Sequence, residues 1–226
     1  MYIVIEDKHK KLMVSFGNTR IPVWIFGNEN NPKIFFIHGF PIPFSQMQGD
    51  LPIRHLMKDY CVVAFDLPGF GYSCKLDITD LEFIKKIKKK IEAQKKIVLF
   101  GVSYGGVICT RYVKVNSSDV AGIIIAGTPI FKKRVIFSGK IIAKLPLNLQ
   151  IRIINKILNR NENFKRLIEA ALTQRVLTVI NNFSSLRRND FFKIQAPSLL
   201  LYSKNDTVAT VKHGTLLNKL IPKSKL

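Results

Sequence analysis

Five short runs of apolar residues limit most strongly what this chain can fold into: Ile34 to Ile37, Val62 to Phe65, Ile97 to Phe100, Ile123 to Ile125 and Ser198 to Tyr202. Each is continuous rather than alternating, the pattern of a strand covered on both faces. Between them lie segments of helical periodicity, Asp80 to Gln94 with its stripe Ile84, Ile87 and Ile91, and Gly105 to Val115. Strand, helix, strand in that order predicts a mostly parallel sheet with right-handed crossovers and helices on both faces, an α/β fold. Ahead of the first run, Leu12 to Phe16 and Val23 to Phe26 flank Gly17 and Asn18, which reads as an opening hairpin.

The alternation stops between Thr128 and about Ala196. No central strand is legible there, only helical patterns such as Ile151 to Leu158 and Phe164 to Ile180. No repeat or low-complexity linker sets this stretch apart, so it reads as a helical cap, about 128–196, inserted into one domain spanning 1–226. A chain of 226 residues suffices for one sizeable core.

Several classes drop out. The longest apolar runs fall short of the roughly 20 residues a membrane span needs. Glu6 and Asp7 interrupt the apolar start and no basic leader precedes it, so a cytoplasmic location is expected. Cys61, Cys74 and Cys109 are odd in number and lack ligand spacing, which points to reduced thiols and no metal. The net charge of +21 bears on steering and non-specific binding rather than on fold. Many of its lysines, at 85, 86, 88, 89, 90, 95 and 96, fall on one predicted helix and read as its solvated face. An anionic membrane surface or an acidic substrate would also be drawn to such a field. No nucleic-acid motif accompanies the charge, and no nucleic-acid partner is expected.

The residues with chemical potential lie at strand ends, where open α/β sheets carry their sites. Gly101, Val102, Ser103, Tyr104, Gly105 follows the run ending at Phe100 and leads into a helical segment. A sharp turn between strand and helix lifts a serine hydroxyl above the sheet. The flanking glycines remove side chains that would collide where the backbone folds tightly. His38, Gly39, Phe40, Pro41 ends an earlier strand. Acyl transfer puts negative charge on a substrate oxygen, and paired backbone N–H groups can receive it. Those of Phe40 and Tyr104 are the candidates for an oxyanion hole, since Pro41 has no N–H. His38 reads as a residue that orders its own loop.

Asp66, Leu67, Pro68, Gly69, Phe70, Gly71, Tyr72, Ser73 follows the Val62 to Phe65 run. Taken together and in order, these three strand-end motifs resemble the α/β-hydrolase family with a helical cap, across essentially the whole chain. The resemblance implies a serine hydrolase of carboxylic ester, thioester or similar acyl bonds, with Ser103 as nucleophile, no cofactor, and a small acyl substrate under the cap. It implies a structural role for the Asp66 loop. The family order Ser, acid, His makes Asp206, after the run ending at Tyr202, the candidate acid. The competing reading of Asp206 is a cap on a helix predicted over Val208 to Leu220.

No histidine occupies the family's last position. His213 lies on that predicted helix, about 10 Å from Asp206 along its axis, and reads as a surface residue. The tail from Ile221 to Leu226 resembles the lead-in to the family's final strand, so the domain reads as incomplete at its C-terminus and this chain alone as nearly inert. A non-catalytic binding protein on the same fold, or a related acyl transferase or peptidase, are the alternatives.

Overall fold

The hairpin and the apolar runs assemble into one eight-stranded sheet in the order β1-β2-β4-β3-β5-β6-β7-β8. The structure is a computed structural model that describes residues 9–47, 52–91, 93, 96–130, 140–142, 144–146, 148–150, 152–153 and 176–226. The strands are β1 (His9–Phe16), β2 (Thr19–Phe26), β3 (Lys33–Ile37), β4 (Cys61–Phe65), β5 (Ile97–Val102), β6 (Val120–Ala126), β7 (Ser198–Leu201) and β8 (Ser224–Lys225). β1 and β2 pair antiparallel across the Gly17 turn, with Phe16 opposite Thr19, and β2 joins β4 antiparallel. Every pairing from β4 to β8 is parallel.

The helices are α1 (Ile53–Leu56), α2 (Asp80–Lys90), α3 (Tyr104–Val115), α4 (Val176–Ser185), α5 (Arg188–Phe192) and α6 (Val211–Leu220). α2 starts where Thr79 Oγ1 accepts the Glu82 N–H at 3.2 Å, with Asp80 and Glu82 in its first turn and lysines in its last. Both ends complement the helix dipole. Its Phe83, Ile84 and Ile87 are fully buried against the sheet, each contributing roughly 1.5–3 kcal/mol. They join Phe35, Ile37, Phe65, Leu99 and Ile125 with residues of α3 in the larger core cluster. The opposite sheet face packs Ile34, Phe36, Val62, Ala64 and Phe100 against Phe44 and Ile53.

Four expectations change. α2 stops at Lys90, so Lys96 belongs to the approach to β5 and Lys95 lies outside the described residues. Lys88 is no solvated residue: its side chain is 15% exposed and paired with Asp119 at 2.9 Å. β7 is not covered on both faces, since Ser198 and Leu200 are buried while Leu199 and Leu201 are 41% and 43% exposed. The tail is more than a lead-in, because Ser224 and Lys225 pair with Ser198 and Leu199. Within the predicted cap, the described residues form helix and no strand; most of Ile151 to Leu158 and the part of Phe164 to Ile180 before Val176 lie outside them.

Candidate active site

The strand order turns outward in both directions from β3, toward β4 on one side and β5 on the other. A crevice opens where such a switch occurs, beyond the carboxyl ends of the strands. The His38 loop leaves β3 at that point and Ser103 leaves β5. Gly39 is in close contact with the serine: a methyl group built on it would lie 3.1 Å from Ser103 Cβ and 3.0 Å from the Val102 carbonyl oxygen.

Ser103 has φ 52° and ψ −113°, the sole non-glycine residue at positive φ among the described residues. A side chain in that region costs of order 1–3 kcal/mol and persists only where the surroundings hold it. They do so by close packing and hydrogen bonds. A Cβ on Gly105 would meet the Ile37 carbonyl oxygen at 2.1 Å, and one on Gly101 would meet Gly105 at 2.4 Å. The Ser103 N–H donates to Ala126 O at 2.8 Å, and its carbonyl accepts from Gly106 N–H at 3.0 Å and Thr128 Oγ1 at 2.8 Å.

The α3 helix begins at Tyr104, directly after the serine. Its N–H and that of Phe40 donate to no described residue, the first next to Ser103 in the chain and the second next to Gly39. The Tyr104 ring is buried on the far side, where its hydroxyl donates to Asp80 Oδ2 at 3.0 Å. Asn182 Nδ2 donates to the Tyr104 hydroxyl at 2.6 Å and to Asp80 Oδ2 at 3.2 Å, and Arg111 donates to Asn182 Oδ1. Burial pushes the Tyr104 phenol well up and the Asp80 carboxylate adds to this, so it stays a donor. This chain of bonds from guanidinium to carboxylate ties α4 to the helix carrying the elbow.

His38 is fully buried. Its Nδ1 donates to Gly39 O at 2.7 Å and its Nε2 accepts the Leu67 N–H at 2.9 Å, which fixes a neutral tautomer. Burial holds its pKa below the ordinary value, against the pull of Asp66. It orders the loop, as its place in the His-Gly turn implied. Asp66 is likewise enclosed, accepting from Ser45 N–H, Ser45 Oγ and Tyr72 N–H at 2.9, 2.7 and 2.9 Å.

Asp206 lies in the loop after β7. Its Oδ1 accepts the N–H groups of Val208 and Ala209, both at 2.8 Å. The turn it caps precedes α6, which starts at Val211 rather than Val208. Its Oδ2 points toward the end of β6, where a Cβ on Gly127 would lie 3.6 Å away. The carboxylate is thus anchored by one oxygen, with the other toward the strand that neighbours the nucleophile's.

The four histidines are all described, and none is hydrogen-bonded to Ser103 or Asp206. The His9 ring lies 5.5 Å from that of Phe26, tilted by 39°, and His55 is exposed on α1. His213 is not the surface residue expected. It is half-buried on the α6 face that holds Leu217 and Leu220, and its Nδ1 is shut from solvent without a partner. No group of three or more His, Cys, Asp or Glu that could hold a metal occurs among the described residues. No described helix is long and apolar enough to cross a membrane.

The sequence pattern of the alpha/beta hydrolase family matches residues 34–220. This chain belongs to that family. Among relatives of this α/β hydrolase is the pimeloyl-[acyl-carrier protein] methyl ester esterase of Vibrio parahaemolyticus, 24% identical over 84% of this chain and 82% of its own. A mouse serine hydrolase-like protein is 28% identical over 43% of this chain and 32% of its own. Solved structures share the fold: esterase RhEst1 from Rhodococcus sp. ECU1013 at 22% identity and TM-score 0.70, and a thermophilic esterase from Thermogutta terrifontis at 17% and 0.73, each covering 96% of this chain and 88% of the other.

Sequence reasoning placed Ser103, Tyr104 and Phe40 at adjoining strand ends; β3 and β5 are paired neighbours, and Gly39, next to Phe40, lies against Ser103. It missed Thr128, Tyr202 and Asn182. Thr128 lies two residues beyond a strand paired with the nucleophile's, but its bond to Ser103 joins residues 25 apart and leaves no mark on either segment.

Proposed function

We propose that this α/β hydrolase cleaves small carboxylic esters or thioesters through an acyl-enzyme on Ser103. One observation carries the reading: Ser103 is held at positive φ on a strand-to-helix turn, with Gly39 against it. Strain maintained at such cost is expected where geometry serves chemistry. Ser103 Oγ attacks the acyl carbon, and its proton passes to a base. The N–H groups of Phe40 and Tyr104 receive the oxyanion, and the leaving alcohol or thiol takes up a proton as the carbon–oxygen or carbon–sulfur bond breaks. Water then hydrolyses the acyl-enzyme. The ester chemistry named for the Vibrio and Rhodococcus relatives supports the bond type.

Asp206 takes the acid's role in this reading, its Oδ2 open to receive an imidazole N–H while two backbone amides hold Oδ1. Among the described residues no histidine is bonded to that oxygen, so the base's role is the one this reading leaves unfilled. Without a base, Ser103 loses its proton only to solvent, and slow attack by its hydroxyl is the turnover that remains. That unfilled role is also what favours the second reading, a binding protein on a hydrolase fold. Hydrolysis of 4-nitrophenyl acetate by the 226-residue chain is expected to be slow but to fall to the uncatalysed rate in Ser103→Ala. Appending a C-terminal segment designed to supply a further strand and a histidine is expected to raise it at least about 100-fold, the scale of a general base. Equal rates in wild type and Ser103→Ala, before and after that addition, would leave only the binding protein.

A further inference from the structure

Thr128 stands two residues beyond the end of β6 and is 5% exposed. Its hydroxyl donates to the Ser103 carbonyl at 2.8 Å, and its own carbonyl accepts the Tyr202 hydroxyl at 2.7 Å. Tyr202 follows β7 directly and leads into the Asp206 loop. One residue therefore bonds to the turn that bears Ser103 and to the segment that leads from β7 to Asp206.

The packing around it leaves little alternative. Gly106 comes so close that a Cβ there would lie 2.0 Å from Thr128 Oγ1. Gly127, at φ 56°, donates its N–H to Leu201 O at 2.9 Å and leaves room for Asp206 Oδ2. The Ser103 carbonyl has two donors, Gly106 N–H from its own helix and the Thr128 hydroxyl from the neighbouring strand. Only the second is anchored outside the elbow. A serine at positive φ drifts toward an ordinary conformation unless something external holds the peptide that follows it.

We infer that Thr128 is a positioning residue for Ser103: its hydroxyl holds the strained turn, and its carbonyl sets the acid's strand at a fixed distance from that turn. The inference rests on Ser103 being the nucleophile. It acts through Ser103 and touches no substrate.

The test separates hydroxyl from bulk. Thr128→Val keeps the shape and removes the donor; Thr128→Ser keeps the donor and removes a methyl. Thr128→Val is expected to lower kcat for 4-nitrophenyl acetate about fivefold to tenfold, the worth of one hydrogen bond, with KM within twofold. Thr128→Ser is expected to restore kcat to within twofold. Hydrogen exchange at the Gly106 amide, which bonds to the same carbonyl, is expected to quicken in Thr128→Val and not in Thr128→Ser. Unchanged kcat and Gly106 exchange in Thr128→Val, with Ser103→Ala inactive, overturn this inference alone, as does Thr128→Ser falling as far as Thr128→Val. Equal rates in wild type and Ser103→Ala overturn the nucleophile and this inference together.

Discussion

A single carboxylate shows how far a residue's type constrains its use. Asp66 sits at a strand end, as catalytic acids do, yet three donors from Ser45 and Tyr72 occupy it and it is 1% exposed. Gly71, at φ 45°, is required beside it, because a Cβ there would lie 2.1 Å from Asp66 Oδ2. Replacing Asp66 by alanine orphans two backbone N–H groups in an enclosed loop, at about 3 kcal/mol. Asp66→Ala is expected to unfold at correspondingly lower urea. A midpoint within error of wild type would show that the loop re-pairs its donors elsewhere. Both Asp66 and Asp206 follow apolar runs in the sequence, and the family resemblance alone implied a structural loop for the first and the acid's role for the second. Their difference is in the partners: all of Asp66 is enclosed, while Asp206 keeps one oxygen open.

Among the elements, α4 is the least legible in sequence and among the most consequential in place. Its periodicity appears in Phe164 to Ile180, but nothing local says that Asn182 will reach Tyr104. The bond spans 78 residues and joins the helix that returns from the predicted cap to the helix that starts at the elbow. A second tie runs from α3 to α5, Lys114 to Asp190 at 2.7 Å. Burial alone would raise the Asp190 carboxyl; Lys114 and the Arg187 N–H outweigh it and hold it below the ordinary range. Asn182→Ala removes the middle of a satisfied buried network and is expected to cost about 2 kcal/mol. Hydrogen exchange should show the loss of protection first in α4 and the early turns of α3. A uniform loss across the sheet would argue that Asn182 adds only to global stability.

For the molecule as a whole, protons bear on stability through His38 first. Its folded pKa is depressed by burial below about 6.5. Below that pH the unfolded chain takes up a proton that the folded chain refuses, so stability falls as the pH drops. Asp119, bonded to Lys88 and Tyr112, and Asp190 are depressed carboxylates. Their contribution is full above the ordinary carboxylate range and is lost as pH falls through their lower folded values. Thermal midpoints are expected to decline from pH 6.5 to 5 in wild type and to decline less in His38→Gln, with a further fall below about pH 4 in both. Identical slopes above pH 5 would remove His38 from the account. The sequence by itself determined every strand but β8, the hairpin, the elbow turn and the order of motifs, because propensity, burial pattern and glycine placement act over a few residues. Tertiary structure decided which strands neighbour one another, and with them the switch at β3, the exposed face of β7 and the place of Thr128 between the Ser103 turn and the Asp206 loop. Strand pairing brings together residues far apart in the chain through backbone hydrogen bonds that every residue but proline can make, and so its partners are not written in either segment alone.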